Sequence, residues 1–468
     1  MVATLGNTVE VPPLDPRRLE PIVGGDRVEE LVARGAELQA HLGARRIVNV
    51  NSTAAGGGVA EMLWTLLGYA RGVGVAADWV VLTGDPEFFA VTKRIHNGLY
   101  GSPGDGGELD DAERAHYERA LAANVGAVCG RVRSGDVVLV HDPQPAGLIA
   151  PLRERGARVV WRCHVGYDGG NEWTERAWEF VRPYVESADA FVFSREAFAP
   201  SWVDRARLRV IPPSIDPFAP KNQDLTPFEV LAVLGAAGIV APDGIHPDPR
   251  VRSPAQVVRD GPAVDPRAPL VVQVSRWDRI KDMGGVLAGF ARHVEAPDAH
   301  LALVGPAVSG VTDDPEGEQI WSETVAAWSA LAPGTRRRIH LVTVPMDDPV
   351  ENALVINAVQ RHAAIVVQKS LAEGFGLTVA EAMWKTRPVV ASAVGGIVDQ
   401  VVDGQTGLLV DDPLDLESFG AALDRLLHDP VEAERLGRNA RTHVERRFLG
   451  DRHLLEYAAL IAELLARG

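Results

Sequence analysis

Two successive runs of short apolar strands, each alternating with helical patterns, predict an α/β chain built from two doubly wound domains with parallel sheets. The first run is 47–50, 79–82, 137–140, 159–161 and 191–193, with helical stretches such as 110–128 between strands. The second is 270–274, 301–304, 339–342, 364–367 and 389–391. Size agrees, since 468 residues of which 46 % are hydrophobic suffice for two ordinary cores. The expected division is 1–215, completed by a helix at 451–468, and 216–450, including a surface excursion at 242–269.

The chain opens with Glu10, Asp15 and several prolines, without a basic segment and apolar core, so an irregular arm and no signal peptide are expected. The strand 47–50 runs into Asn51-Ser52-Thr53-Ala54-Ala55-Gly56-Gly57-Gly58 and a helical pattern over 59–70. Glycines at such a turn, Gly57 and Gly58 above all, let backbone approach phosphate or sugar hydroxyls. Neither the dinucleotide fingerprint nor the P-loop spacing is present. Further on, Lys93 and His96 share one face of a helix over 88–97. Asp142 and Gln144 follow the third strand in V-H-D-P-Q-P, and Arg162 and His164 close the fourth in W-R-C-H. These polar groups at strand ends suit sugar hydroxyls.

Residues 211–217, I-P-P-S-I-D-P, read as a stiff connection, and the Pro-rich stretch 242–269 as the surface excursion. The apolar run 230–241 has 12 residues, short of the ~20 that a membrane span needs. After the strand 270–274 comes S-R-W-D-R-I-K-D, with Arg276 and Lys281 five apart; two cations there can neutralise a leaving diphosphate. The strand ending at 367 leads through S-L-A-E-G-F-G-L-T-V-A-E, with a helix from Leu377. Gly374, Phe375 and Gly376 form the turn, and the first amides of the helix, Leu377 and Thr378, face an anion. Glu373, before the helix, suits the sugar on such a diphosphate, and Glu381, more than a turn inside, suits a ribose. The acid pairs Asp313-Asp314, Asp347-Asp348 and Asp411-Asp412 read as caps or solvated turns and not as metal sites. A final amphipathic helix covers 451–467.

A net charge of −16 and pI near 5.3 argue against nucleic acid or an anionic membrane as partner. Two cysteines, Cys129 and Cys163, are too few for a disulfide framework, which points to the cytoplasm.

The glycine-rich first loop, the Arg276 and Lys281 pair and the Glu373 to Glu381 spacing together resemble the retaining glycosyltransferases of family 4, which have the GT-B fold. Asn51-Ser52-Thr53, F-A-V-T-K-R-I-H-N at 89–97, Trp161-Arg162-Cys163-His164 and 352–360 are similar to the trehalose glycosyltransferring synthases. The resemblance runs from about Arg46 to about Leu465 and touches the related trehalose phosphorylases. It implies two sheets facing a central cleft, with the last helix packed back on the first domain. It also implies transfer of glucose from ADP-, UDP- or GDP-glucose to glucose. His164, Arg276, Lys281 and Glu373 are then the catalytic set. The donor contacts add Gly57, Gly58, Gly374, Phe375, Gly376, Leu377, Thr378 and Glu381; the acceptor contacts are Asp142, Gln144, Arg162, His164 and Lys93. No cofactor is obligatory beyond the nucleotide sugar as co-substrate, with Mg2+ at most stimulatory, and a homodimer is implied. A phosphorylase using inorganic phosphate, a family 4 enzyme with another acceptor, and a binder or epimerase on the same fold stay open.

Overall fold

A computed structural model of the chain describes residues 4–5, 7–54, 57–242, 244–308 and 315–467. Ala55, Gly56 and the Asp313-Asp314 pair lie outside the described residues. Contacts divide the chain into two compact units, Met1–Ile215 with Phe448–Gly468, and Asp216–Arg447.

The first unit holds strands β1 (Thr4–Leu5), β2 (Thr8–Val9), β3 (Ile47–Asn51), β4 (Ala77–Val81), β5 (Val137–His141), β6 (Arg158–Cys163), β7 (Ala190–Phe193) and β8 (Leu208–Val210). Among the described residues they form one eight-stranded sheet in the order β1-β2-β4-β3-β5-β6-β7-β8. From β4 to β8 every pairing is parallel. Both faces of the central strands are covered, so β5 and β7 are buried along their whole length and read as apolar runs, β5 closing with His141. The irregular arm expected at the N-terminus is corrected here. Thr8 pairs antiparallel with Val80 and Val9 is fully buried, because an open edge strand offers unpaired backbone groups that a short hairpin can satisfy.

The helix Gly450–Ala466 packs on Gly25–Leu42 and Gly58–Gly72 through Leu460, Ile461 and Leu464, all in one core with Val9, Leu38, Leu63 and Leu67. Residues 448–450 join this unit rather than the second, since Ile215 donates to the Phe448 carbonyl at 2.9 Å and bridges Leu449.

The second unit holds β9 (Gln256–Val258), β10 (Leu270–Val274), β11 (His300–Pro306), β12 (Ile339–Val344), β13 (Ile365–Gln368), β14 (Val389–Ser392) and β15 (Leu408–Val410). Their order is β15-β14-β13-β10-β11-β12-β9. All pairs are parallel except β12 with β9. That exception lies within the surface stretch 242–269, which is mostly exposed or half-buried: Val257 and Val258 extend the sheet beside Val342 and Leu341, and Val264 is buried against Val240. The prolines around them confine the strand to an edge, where a missing donor costs no ladder bond.

Candidate active site

In the second unit the chemistry collects at the carboxyl ends of β10 and β13, where an open parallel sheet leaves room for ligands. Lys281 closes a single turn of 3-10 helix, Arg279–Lys281, and its Nζ lies 2.5 Å from Glu373 Oε2. Ser370 Oγ donates to the same carboxylate oxygen at 3.3 Å. Glu373 stands in the loop before the helix Leu377–Trp384, whose N-cap, Gly376 at φ 85°, supplies no side-chain acceptor to the first amides. Gly395, at φ 51°, passes so close that a β-carbon there would sit 1.7 Å from the Glu373 carbonyl oxygen. The glycine therefore lets two loops stack and holds Glu373 in place.

The two loops are tied by Gln273, a fully buried amide within β10. Its Nε2 donates to the Lys281 carbonyl at 2.7 Å, and its Oε1 accepts from the Lys369 amide at 3.0 Å. Lys369, also fully buried, pairs with Asp282, which adopts φ 49° and caps the next helix through the Gly285 amide at 3.0 Å. Gln368 completes the frame by accepting from Thr378 Oγ1 at 2.7 Å and donating to Ser370 Oγ at 2.9 Å.

The two cations grouped from sequence have separate partners. Arg276 is 58 % exposed at its side chain and donates to Asp278 at 2.9 Å, whereas Lys281 is mostly buried with Glu373. Glu381 is buried inside the helix, 3.6 Å from Lys221 Nζ. Beside it, buried Lys385 donates to Asn222, Gln360 and the Glu381 carbonyl, and burial pushes its ammonium down to about 7. Phe375 is buried and Gln400 donates to its carbonyl.

In the first unit, Asp142, Arg162 and His164 come together at the ends of β5 and β6. Asp142 adopts φ 65°, and its Oδ1 accepts the His164 amide at 2.7 Å. Burial pushes its carboxyl up to about 7. Arg162 is fully buried; its NH2 donates to Ser194 at 3.2 Å, while its NH1 has no hydrogen-bond partner. Gln144, half-buried, lies two residues past Asp142. Lys93 is exposed on the helix Pro86–Leu99. Gly57 caps the helix Gly58–Gly72 at φ 82°, again with no side-chain acceptor. Among the acid pairs, Asp348 caps the helix Pro349–His362 by accepting the Val350 amide at 2.9 Å, and Asp412 accepts the Leu414 amide of a turn at 2.9 Å.

Sequence reading missed Asn49, His141, Gln273, Gln368 and Lys369. Their signal was present: each is a polar side chain inside or just after an apolar strand, where an unpaired polar group is costly.

Residues 49–200 match the family model described as trehalose synthase, N-terminal domain, and residues 257–443 match glycosyl transferases group 1. A trehalose synthase of Rubrobacter xylanophilus is 36 % identical over 93 % of this chain and 94 % of its own length. The chain belongs to the trehalose synthase family. A trehalose phosphorylase of Pleurotus pulmonarius is more distant, 26 % identical over 84 % of this chain and 54 % of the phosphorylase. Among solved structures, a trehalose-6-phosphate protein from E. coli bound with UDP-2-fluoro glucose superposes with a TM-score of 0.67. It is 14 % identical and covers 89 % of this chain and 99 % of its own. The family member described here thus has the GT-B fold and is a trehalose-related hexosyltransferase.

Proposed function

We propose that the chain moves glucose from a nucleoside diphosphate glucose to free glucose, with retention of configuration, to form trehalose. The observation that carries this is the Lys281 to Glu373 pair, 2.5 Å apart beside the open N-terminus of the helix Leu377–Trp384. A cation and helix amides suit a diphosphate, and a carboxylate next to them suits the hydroxyls of the hexose it carries. As the glycosidic bond breaks, Lys281, Arg276 and the Leu377 and Thr378 amides take up the charge growing on the diphosphate. Glu373 holds the glucosyl ring as it gains oxocarbenium character. The acceptor hydroxyl attacks from the face the diphosphate leaves, and its proton passes to the departing phosphate oxygen. Asp142, Arg162, His164 and Gln144 orient the acceptor.

Glu381 supports a nucleotide donor over inorganic phosphate, since a carboxylate inside the helix suits ribose hydroxyls that a phosphorylase substrate lacks. The donor class is the one bound to the E. coli structural neighbour. A cytoplasmic homodimer needing no cofactor completes the reading; two buried, unpaired thiols, Cys129 and Cys163, suit a reducing compartment.

The test is a panel of ADP-, UDP- and GDP-glucose with glucose as acceptor and phosphate omitted, read by chromatography. A nonreducing disaccharide with released nucleoside diphosphate is expected. Disaccharide only when glucose 1-phosphate replaces the nucleotide sugar would reassign the chain to phosphorolysis.

A further inference from the structure

His164 stands at one end of a directional chain of side chains. Arg162 Nε is 3.4 Å from His164 Nδ1, His164 Nε2 is 3.2 Å from His141 Nδ1, and His141 Nε2 is 2.9 Å from Asn49 Oδ1. A guanidinium carries donors only, so Nδ1 of His164 must offer its lone pair. Neutral His164 then holds its proton on Nε2 and donates it to His141 Nδ1. That in turn puts the His141 proton on Nε2, where it meets the Asn49 carbonyl oxygen. Each tautomer dictates the next, and the reverse order fails at its first step because Arg162 cannot accept.

His141 and Asn49 take no part in the transfer as argued above. Both are nonetheless buried polar groups in largely aliphatic strands, I-V-N-V-N and V-V-L-V-H. Keeping them there without cost requires that every lone pair and proton along the row be matched.

We propose that His141 and Asn49 are positioning residues for His164: they hold it neutral with its proton on Nε2 and set its ring orientation before a hexose binds. The proposal rests on the reading of His164 as an acceptor-side residue. With both ring nitrogens engaged, His164 moves no proton during transfer. A second proton on either ring would set two donors against each other beside the Arg162 charge. Burial accordingly pushes both imidazoles down, His141 to about 3 and His164 well below its ordinary value, with Arg162, His141 and His453 adding to the effect on His164.

The experiment uses the full chain labelled with 15N-histidine, the His164 signals being assigned by their loss in His164→Gln. Between pH 6 and 8 His164 should show one pyridine-type Nδ1 and one protonated Nε2. In His141→Leu this signature should collapse to a tautomer mixture, with turnover falling about 10-fold or more through lost orientation. His141→Gln offers an amide oxygen to His164 and an amide N–H to Asn49, so it should recover the signature and most of the turnover. An Nδ1–H tautomer or an imidazolium at pH 7 in the parent chain would overturn the proposal, as would folded His141→Gln no better than His141→Leu. Full turnover in His164→Gln would remove the residue's role at the hexose and the positioning role with it. Failure of every nucleotide sugar in the donor panel would defeat the proposed reaction while leaving the 15N signature as measured.

Discussion

Lys281 Nζ and Glu373 Oε2 stand 2.5 Å apart, and their side chains keep only 14 % and 7 % of their exposure. They come from loops that follow different strands and are separated by 92 positions in the chain. A mostly buried pair of this kind is costly to break on one side, because the survivor keeps an uncompensated charge.

Lys281→Ala should therefore lower both activity and stability. Turnover should fall about 100-fold or more, since a charged donor to a leaving group is worth ~3 kcal/mol at the transition state. Denaturant unfolding should show a loss on the order of 3 kcal/mol from Glu373 left unpaired. Near-parental turnover in the folded variant would retire the role of Lys281.

Arg276→Ala separates the two effects. Its side chain is 58 % exposed and its partner Asp278 lies two residues away, so unfolding should change by no more than about 0.5 kcal/mol. Turnover should still drop about 100-fold if the guanidinium meets the diphosphate. Steady-state kinetics unchanged from the parent would remove Arg276 from the site.

Glu373→Ala should abolish transfer while the chain still binds a free nucleoside diphosphate, because the carboxylate is assigned to the hexose. Titration calorimetry decides this: loss of diphosphate binding along with transfer would reassign the residue to the phosphates.

Asp142 gives a pH prediction with a fixed sign. Its folded carboxyl is raised to about 7 from an ordinary 3.8, so the native state binds the extra proton between those values. Its contribution to stability is present in full below the unfolded value and is lost as pH rises through 7. Asp142→Asn removes this term, so the variant's melting temperature should gain on the parent's between pH 5 and 7 and hold that gain above. Parallel curves across the range would place the charged carboxylate in a better solvated setting.

Gly395→Ala tests the loop contact directly. A β-carbon 1.7 Å from the Glu373 carbonyl, at φ 51°, cannot be absorbed by a side-chain rotation because the neighbour is backbone. A stability loss of about 2 kcal/mol or more and a fall in turnover should appear together. Turnover kept at the parental level would show that the Glu373 loop can shift without harm.

Local pattern sufficed for the α/β class and the two strand runs, and it singled out the residues proposed for the donor. Continuous apolar runs such as V-V-L-V and A-F-V-F can bury both faces only in a covered parallel sheet. Glycine, carboxylate and cation at strand ends are local signals too, so Lys281, Glu373 and Gly376 could be singled out one segment at a time. Pairing across distance was not. The antiparallel strands Thr8–Val9 and Gln256–Val258 depend on what the neighbouring strand leaves open, and the partner of Lys281 on how two loops come together. Gln273 bridging Lys281 to Lys369, and the row from His164 through His141 to Asn49, join residues from different strands. A hydrogen bond is matched in space rather than along the chain, and so only the folded arrangement decides which polar group satisfies which.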